Sequence, residues 1–252
     1  LTEALMKKLL HGLLALCVLG VVAPQSRKAT EQVCISAEKK KSFDFSFREK
    51  LSCVGKFISE DDGGEGSGTC FPVKKKKVGD KWKTYWLTNN HNIPWNVTNL
   101  RIELFGPKGK GFSDNISRTF RRVDVVMKDS IYDVAMVSTL TEKEIPVLEM
   151  DYGAQESFKK VFVVGFPLGL FPHYTEGSLS TKIKTGSHIR WSTNAPIMFG
   201  NSGGPVIDVA SGKVVGIASA IISNRDSVYN SCSLMIPLNS CFHLIEKALN
   251  EK

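Results

Sequence analysis

The sequence predicts an all-β protein made of two six-stranded antiparallel β-barrels followed by one C-terminal α-helix. From about residue 45, the 252-residue chain breaks into short runs rich in Val, Ile, Phe, Trp and Thr, separated by Gly, Asn, Asp and Pro. Two sets of six such runs lie on either side of a turn-rich passage, residues 141–157. Apolar residues make up 42% of the chain, which is enough to fill a sizeable core.

The first predicted barrel covers about residues 45–145. Its runs are rich in β-branched and aromatic residues, and Gly79 with Asp80 marks a hairpin turn between lysine-rich flanks. The six strands are predicted at Val54–Ile58, Thr69–Val73, Lys83–Thr88, Leu100–Phe105, Thr119–Val126 and Val134–Ser138.

The second predicted barrel covers about residues 156–238 and shows the same pattern. Its strands are predicted at Val161–Phe166, Ser178–Lys184, His188–Ser192, Gly204–Asp208, Val214–Ile222 and Ser231–Ile236. After Pro237, Cys241, Leu244, Ile245 and Leu249 recur at helical spacing. They predict a helix over about 239–250 that packs its apolar face on the barrels.

Residues 1–26 differ from the rest and predict a signal peptide or an N-terminal anchor. Met6, Lys7 and Lys8 precede an apolar run, residues 9–23, that is shorter than the roughly 18 residues expected of a spanning helix. We therefore expect export to the periplasm or the extracellular space, with an uncleaved segment at the membrane as the alternative. Residues 27–44 are polar and predict a linker, so residues 45–252 form the predicted folded domain.

Five cysteines would remain after removal of the leader. An odd number in an exported protein predicts up to two disulfides and a free thiol, and the local pairs are Cys34 with Cys53 and Cys232 with Cys241. The alternative is that these residues are buried thiols. No Cys or His spacing resembles a metal site, so we expect no metal.

The chain is basic, with a formal net charge of +8. Lysines cluster at Lys74, Lys75, Lys76 and Lys77, beside the predicted hairpin turn. A solvated loop explains such a run, and the alternative is an anionic surface as partner. No nucleic-acid motif accompanies the charge, so no specific nucleic-acid binding is predicted.

The stretch Gly200-Asn201-Ser202-Gly203-Gly204-Pro205 predicts a tight turn that presents a serine nucleophile. Glycine permits backbone conformations that other residues avoid and allows close approach of a substrate. The N–H groups of Gly200 and Ser202 could converge on one oxygen, as an oxyanion hole requires.

A serine nucleophile needs a base, and that base needs a carboxylate. His91 follows the apolar run Trp86-Leu87 and precedes a break at Pro94, while Asp133 precedes the alternating run Val134–Ser138. Asp124 and Asp129 are alternatives for the carboxylate. His91, Asp133 and Ser202 are therefore the predicted catalytic residues.

These motifs, in this order, resemble the trypsin-like serine peptidases of the chymotrypsin fold, and most of all the protease domain of the HtrA/Deg branch. The resemblance covers about residues 50–245. It rests on Gly66-Ser67-Gly68, Thr88-Asn89-Asn90-His91, Asp133-Val134-Ala135, Val164-Gly165-Phe166-Pro167-Leu168-Gly169 and the Ser202 turn with the later Val214-Val215-Gly216-Ile217. We expect no PDZ domain after the predicted helix.

The resemblance implies a serine endopeptidase that acts on polypeptides without a cofactor. It implies a specificity pocket formed by Pro196, Ile197, Met198, Ser219, Ala220 and Ile221. None of these is acidic, so cleavage after small or medium aliphatic residues is expected. The alternative function is a chaperone-like or binding protein that retains the peptidase fold.

Overall fold

The structure is a computed structural model that describes residues 51–108, 111–185, 188–223 and 228–250. The predicted leader and linker, residues 1–44, lie outside the described residues. Single 3-10 turns lie at Asn90–Asn92 and Pro167–Gly169. The strands and the helix are β1 (Gly55–Asp61), β2 (Gly64–Val78), β3 (Lys81–Thr88), β4 (Asn99–Lys108), β5 (Gly111–Phe120), β6 (Val123–Asp129), β7 (Val134–Thr141), β8 (Lys160–Gly165), β9 (His173–Thr185), β10 (His188–Thr193), β11 (Pro205–Asp208), β12 (Val214–Ser223), β13 (Val228–Pro237) and α1 (Leu238–Asn250).

Strands β1 to β7 form one antiparallel sheet in the order β5-β4-β1-β2-β3-β7-β6. Its edge strands, β5 and β6, pair with β4 and β7 and not with each other. The first half of the fold is therefore a seven-stranded sheet, and the prediction of a six-stranded first barrel is corrected.

The extra strand arises where the sequence predicted one strand over Thr119–Val126. Strand β5 ends at Phe120 and β6 begins at Val123, because the exposed Arg121 and Arg122 separate them. Residues 114–117 of β5 are exposed, and they lack the alternation of apolar and polar residues that marks a half-buried strand. This segment pairs with β4 through its backbone, which composition does not reveal.

Strands β8 to β13 form a closed barrel in the order β10-β13-β12-β11-β8-β9, so the prediction of a six-stranded second barrel is confirmed. All neighbouring strands are antiparallel. The predicted C-terminal helix is also confirmed and begins at Leu238. It buries Cys241, Ile245 and Leu249 on one face.

The largest apolar core draws on both halves of the fold and on the helix. Trp86, Phe57 and Phe71 of the sheet are fully buried in it, together with Ile207 of the barrel and Ile245 of α1. Burial of each such side chain stabilises the fold by about 1.5–3 kcal/mol. None of the helices in the described part of the chain has the length and apolar character needed to cross a membrane.

Candidate active site

Ser202 lies in a tight turn that leads into β11. Gly200 has φ = 93° and Gly203 has φ = 88°, in the left-handed region that favours glycine. A Cβ on Gly200 would overlap the Phe166 carbonyl oxygen, and one on Gly203 would overlap that of Thr69. The turn therefore needs glycine at both positions, because the backbone of Phe166 and of Thr69 in β2 lies directly against it.

Each carbonyl group from Phe199 to Ser202 accepts a hydrogen bond. The donors are Leu168 N to Phe199 (2.6 Å), Thr69 Oγ1 to Gly200 (2.7 Å), Gly204 N to Asn201 (2.9 Å), and both Thr69 N (2.8 Å) and Asn92 Nδ2 (2.9 Å) to Ser202. Buried peptide groups without partners are costly, so this full set of acceptors favours one conformation of the turn.

The amide groups of the same turn fall into two classes. The N–H groups of Asn201 and Gly203 donate to backbone carbonyls at 3.0 and 2.8 Å. The N–H groups of Gly200 and Ser202 have no hydrogen-bond partner among the described residues. Two such groups on alternate residues of a turn can bind one anionic oxygen.

His91 lies in the 3-10 turn after β3, and Asp133 lies directly before β7. The two carboxylate oxygens are 2.9 and 3.0 Å from His91 Nδ1, and Oδ1 also accepts the His91 backbone N–H at 3.1 Å. A neutral imidazole that donates from Nδ1 keeps Nε2 as a proton acceptor. Of the three candidate aspartates, Asp133 contacts the histidine, whereas Asp124 is exposed and Asp129 accepts a backbone N–H at 2.7 Å.

Asp133 is held from several directions in an uncommon backbone conformation, with φ = 62°. Asn89 Nδ2 donates to its carbonyl at 2.8 Å. The Ser219 hydroxyl, which belongs to β12 of the barrel, donates to its Oδ2 at 3.0 Å. The carboxylate that orients His91 is thus fixed by groups from both halves of the fold.

Arg190 adds a third contact beside Asp133. Its Nη2 donates at 3.0 Å to the carbonyl of Tyr132, the residue before Asp133. The Tyr132 ring packs on His188, with 4.6 Å between ring centroids. Burial lowers the pKa of Arg190, and the nearby Asp133 carboxylate partly opposes that effect. A guanidinium charge therefore lies close to the carboxylate.

The Ser202 hydroxyl is turned toward the barrel. It donates to the Ser219 carbonyl at 3.1 Å, and no hydrogen bond joins it to His91 in the described structure. The His91 side chain is 47% exposed, and the Asp133 side chain is 20% exposed. Catalytic hydrogen bonds are often long or misaligned without substrate, so the missing bond to His91 does not exclude Ser202 as the nucleophile.

The residues of the predicted specificity pocket have different surroundings. Pro196 and Met198 are exposed, while Ile197 is buried in the core of the barrel. The Ser219 hydroxyl bonds to Asp133, as described above. The backbone of Ala220 and Ile221 runs in β12, and their side chains lie outside the described part of the structure.

The four predicted surface lysines also separate into two pairs. Lys74 Nζ donates to the carbonyl of Leu249 at 3.0 Å, near the end of α1, and Lys75 forms an ion pair with Glu144. Lys76 and Lys77 are exposed. Lys74 and Lys75 are half-buried and have partners within the protein, whereas Lys76 and Lys77 are the more exposed pair.

Cys232 and Cys241 are not joined by a disulfide, so that predicted pairing is absent from the structure. The Cys241 thiol is buried in the core and donates weakly to the carbonyls of Pro237 and Leu238. Burial raises its pKa to about 12, as expected of an unreactive thiol. Cys34 lies outside the described residues. Across the described ranges, no group of three His, Cys, Asp or Glu residues is placed to hold a metal ion.

Three residues around the candidate site were not found from the sequence. Thr69, Asn92 and Arg190 reach the Ser202 turn or the residue before Asp133 from distant positions in the chain. Thr69 and Asn92 stand next to recognised motifs, which is the one signal the sequence offered. Arg190 lies in a strand with no such motif.

Comparison with known proteins gives a family for most of the described fold. The trypsin-like peptidase domain matches residues 66–217. The serine protease Do-like HtrA of Bacillus subtilis is 31% identical in an alignment of 206 positions that covers 77% of this chain and 41% of that protein. A periplasmic DegP-like serine endoprotease of Pseudomonas fluorescens is 29% identical, over 62% of this chain and 30% of that protein. The chain therefore spans less than half the length of these curated relatives.

Solved structures show the same fold at lower sequence identity. An HtrA-type protease AlgW with a tripeptide has a TM-score of 0.64 and 20% identity, and the match covers 80% of this chain and 62% of that one. A serine endoprotease from Yersinia pestis has a TM-score of 0.60 and 21% identity, over 81% of this chain and 65% of that one.

Proposed function

Because the chain belongs to the trypsin-like peptidase family, we propose that it is a serine endopeptidase that cleaves polypeptides through an acyl-enzyme. The observation that carries this proposal is the pairing of His91 with Asp133 in a protein whose Ser202 turn has two unpartnered N–H groups. Family relatives supply further support, since one neighbouring structure contains a bound tripeptide.

In the proposed reaction, the Ser202 hydroxyl gives up its hydrogen bond to the Ser219 carbonyl, and Oγ attacks the carbonyl carbon of the scissile bond. His91 Nε2 accepts the hydroxyl proton and later gives it to the leaving amine, while Asp133 stabilises the imidazolium. The N–H groups of Gly200 and Ser202 bind the oxyanion of the tetrahedral intermediate. Water then hydrolyses the acyl-enzyme, with His91 again as base, and this step restores Ser202.

A fluorophosphonate probe tests this assignment because it reacts only with an activated serine. We expect the wild-type protein to be labelled and Ser202→Ala to lose both the label and the cleavage of fluorescent casein. Ser211→Ala is a matched control, since this serine lies in another turn of the barrel and bonds to Asp208. A wild-type protein that neither reacts nor cleaves casein would refute the proposal.

We further propose cleavage after small or medium aliphatic residues. Support comes from the apolar Pro196, Ile197 and Met198 before the nucleophile turn and from the absence of an acidic residue at positions 219–221. A set of fluorogenic peptides that differ only at the residue before the scissile bond tests this. We expect Ala, Val and Ile to give a higher kcat/KM than Arg, Lys or Glu, and the reverse order would contradict the assignment.

A chaperone-like function is the second candidate, because apolar side chains surround the loop before the nucleophile turn. Leu168, Leu170, Phe171 and Phe199 each expose more than half of their surface. Such residues suit contact with unfolded chains. If Ser202→Ala suppresses aggregation of unfolded casein while the wild type shows no label, binding becomes the better assignment.

We also propose that the protein is exported. Export is supported by the leader pattern and by the periplasmic relative from Pseudomonas fluorescens.

Lys76 and Lys77 are the exposed lysines proposed to contact an anionic surface. Vesicles containing anionic phospholipid should retain the wild-type protein more than the double variant with Gln at both positions, and equal retention would contradict this.

A further inference from the structure

Thr69 of β2 links the seven-stranded sheet to the nucleophile turn. Its hydroxyl donates to the Gly200 carbonyl at 2.7 Å and accepts the Phe166 backbone N–H at 3.2 Å. Its backbone N–H donates to the Ser202 carbonyl at 2.8 Å. One residue therefore contacts the carbonyls of both residues whose N–H groups form the proposed oxyanion hole.

We propose that Thr69 is a positioning residue that holds the proposed oxyanion hole in its binding geometry through its hydroxyl. This inference rests on the proposed peptidase function. Thr69 touches neither the substrate carbonyl nor the proton path. It acts through Gly200. Its hydroxyl also accepts the N–H of Phe166, the residue after β8, and so connects that segment to the same turn.

Hydrogen bonds to the carbonyls on either side of Gly200 fix the direction of its N–H through the geometry of the peptide group. In a trans peptide the C=O and N–H groups point in opposite directions within one plane. Leu168 N–H fixes the Phe199 carbonyl, which directs the Gly200 N–H, and Thr69 fixes the carbonyl on the other side of Gly200. Gly200 has no side chain to limit its rotation, so these two bonds determine its left-handed conformation.

Among the described residues, the Thr69 hydroxyl is the one hydrogen-bond donor to the Gly200 carbonyl. Thr69 is completely buried, and Gly200 and Phe166, which its hydroxyl contacts, are also buried. A Cβ built on Gly165 would lie 3.0 Å from Thr69 Oγ1 and 2.9 Å from Asn201 Cα, so the space on that side is already filled. A water molecule needs its own volume, and the packing around Thr69, or around a valine of the same shape, leaves none.

Thr69→Val tests the proposal because it keeps the shape of the side chain and removes the hydroxyl. Loss of an oxyanion donor lowers kcat by roughly 10²–10³-fold, and we expect an indirect loss of about tenfold with KM unchanged. A peptide aldehyde ending in valine would form a tetrahedral adduct with Ser202. Its inhibition constant should therefore be larger for Thr69→Val than for the wild type, by the same factor. Thr69→Ser keeps the hydroxyl and should retain kcat within about threefold of the wild type.

Thr84→Val is the matched control. Thr84 is fully buried on the neighbouring strand β3, and its hydroxyl has no hydrogen-bond partner in the described structure. This variant should retain wild-type kcat. The comparison requires that the wild-type enzyme cleaves its substrate and reacts with the fluorophosphonate probe. Under that condition, equal kcat values for Thr69→Val and Thr84→Val would overturn the role of Thr69 and leave the proposed function intact.

A folding defect is separated from the positioning effect by two measurements. Thermal unfolding shows whether Thr69→Val is folded, and Thr69→Ala provides a second variant that removes the hydroxyl without placing a methyl group against Gly200. We expect the folded fraction of either variant to show the loss in kcat. Normal kcat per folded molecule in both would overturn the proposal, whereas an inactive wild type would refute the proposed function itself.

Discussion

The two sides of the candidate site differ in how firmly they are held. On the barrel side, every carbonyl from Phe199 to Ser202 has a donor, and two N–H groups remain for a ligand. On the sheet side, His91 is half exposed, and the Asp133 carboxylate holds its ring. The proposed oxyanion donors are thus preformed, whereas the hydrogen bond between the proposed base, His91, and the proposed nucleophile, Ser202, has still to form.

In the proposed mechanism, this difference separates binding of the oxyanion from proton transfer. Groups that hold the Ser202 turn should affect the stability of the tetrahedral intermediate. Groups that hold Asp133 should affect the orientation of the imidazole. Substitutions on the two sides can therefore be compared by their effects on kcat and on inhibitor binding.

The largest effect is expected from Asp133→Asn. Asparagine tolerates the left-handed backbone conformation, so the turn should survive, but its amide would donate to Nδ1 and favour the wrong tautomer of His91. We expect kcat to fall about 10⁴-fold, as in other enzymes with this arrangement. Asp124→Asn serves as the control because Asp124 is exposed on β6, and a similar loss there would contradict the role given to Asp133.

Gly200→Ala should produce the next largest effect. A Cβ at this position would overlap the Phe166 carbonyl oxygen, so the turn must move and the Gly200 N–H must leave its position. We expect kcat to fall by about 10²–10³-fold, the loss associated with one oxyanion donor. Steady-state kinetics should be compared with those of Gly79→Ala, which has φ = 58° and open space around it. Equal effects of both substitutions would indicate general strain.

A smaller effect is expected from Arg190→Met, which keeps the length of the side chain but removes its donor. Loss of the bond to the Tyr132 carbonyl should loosen Asp133 and lower kcat by roughly tenfold, because small misplacements of catalytic groups are costly. Arg190→Lys keeps the charge and should lose less. Unchanged kcat in Arg190→Met would show that the remaining contacts of Asp133 suffice.

The sequence predicted most of the fold because apolar runs and turn residues are local signals. All six strands of the barrel and α1 were found in this way. The polar part of β5 was missed, since its pairing with β4 depends on backbone hydrogen bonds and leaves no apolar pattern. The closed first barrel was wrongly expected because the number of strands does not reveal which edge strands pair with each other.

The site was predictable where chemistry demands particular residues in a recognisable context. His91, Asp133 and Ser202 each stand in such a context, and the structure brings the first two into contact. Thr69 and Arg190 act on backbone carbonyls, for which many side chains could serve. Their roles depend on the packing of distant strands and therefore required coordinates.

Because residues of both halves hold the Ser202 turn, cutting the chain between the halves should affect activity. Thr69 and Asn92 come from the sheet, yet they hold a turn of the barrel, and the largest core contains side chains of both halves. The exposed residues 153 and 154 lie between these halves. A chain cut there would yield two fragments, each lacking half of what shapes the nucleophile, so hydrolysis would report their reassociation.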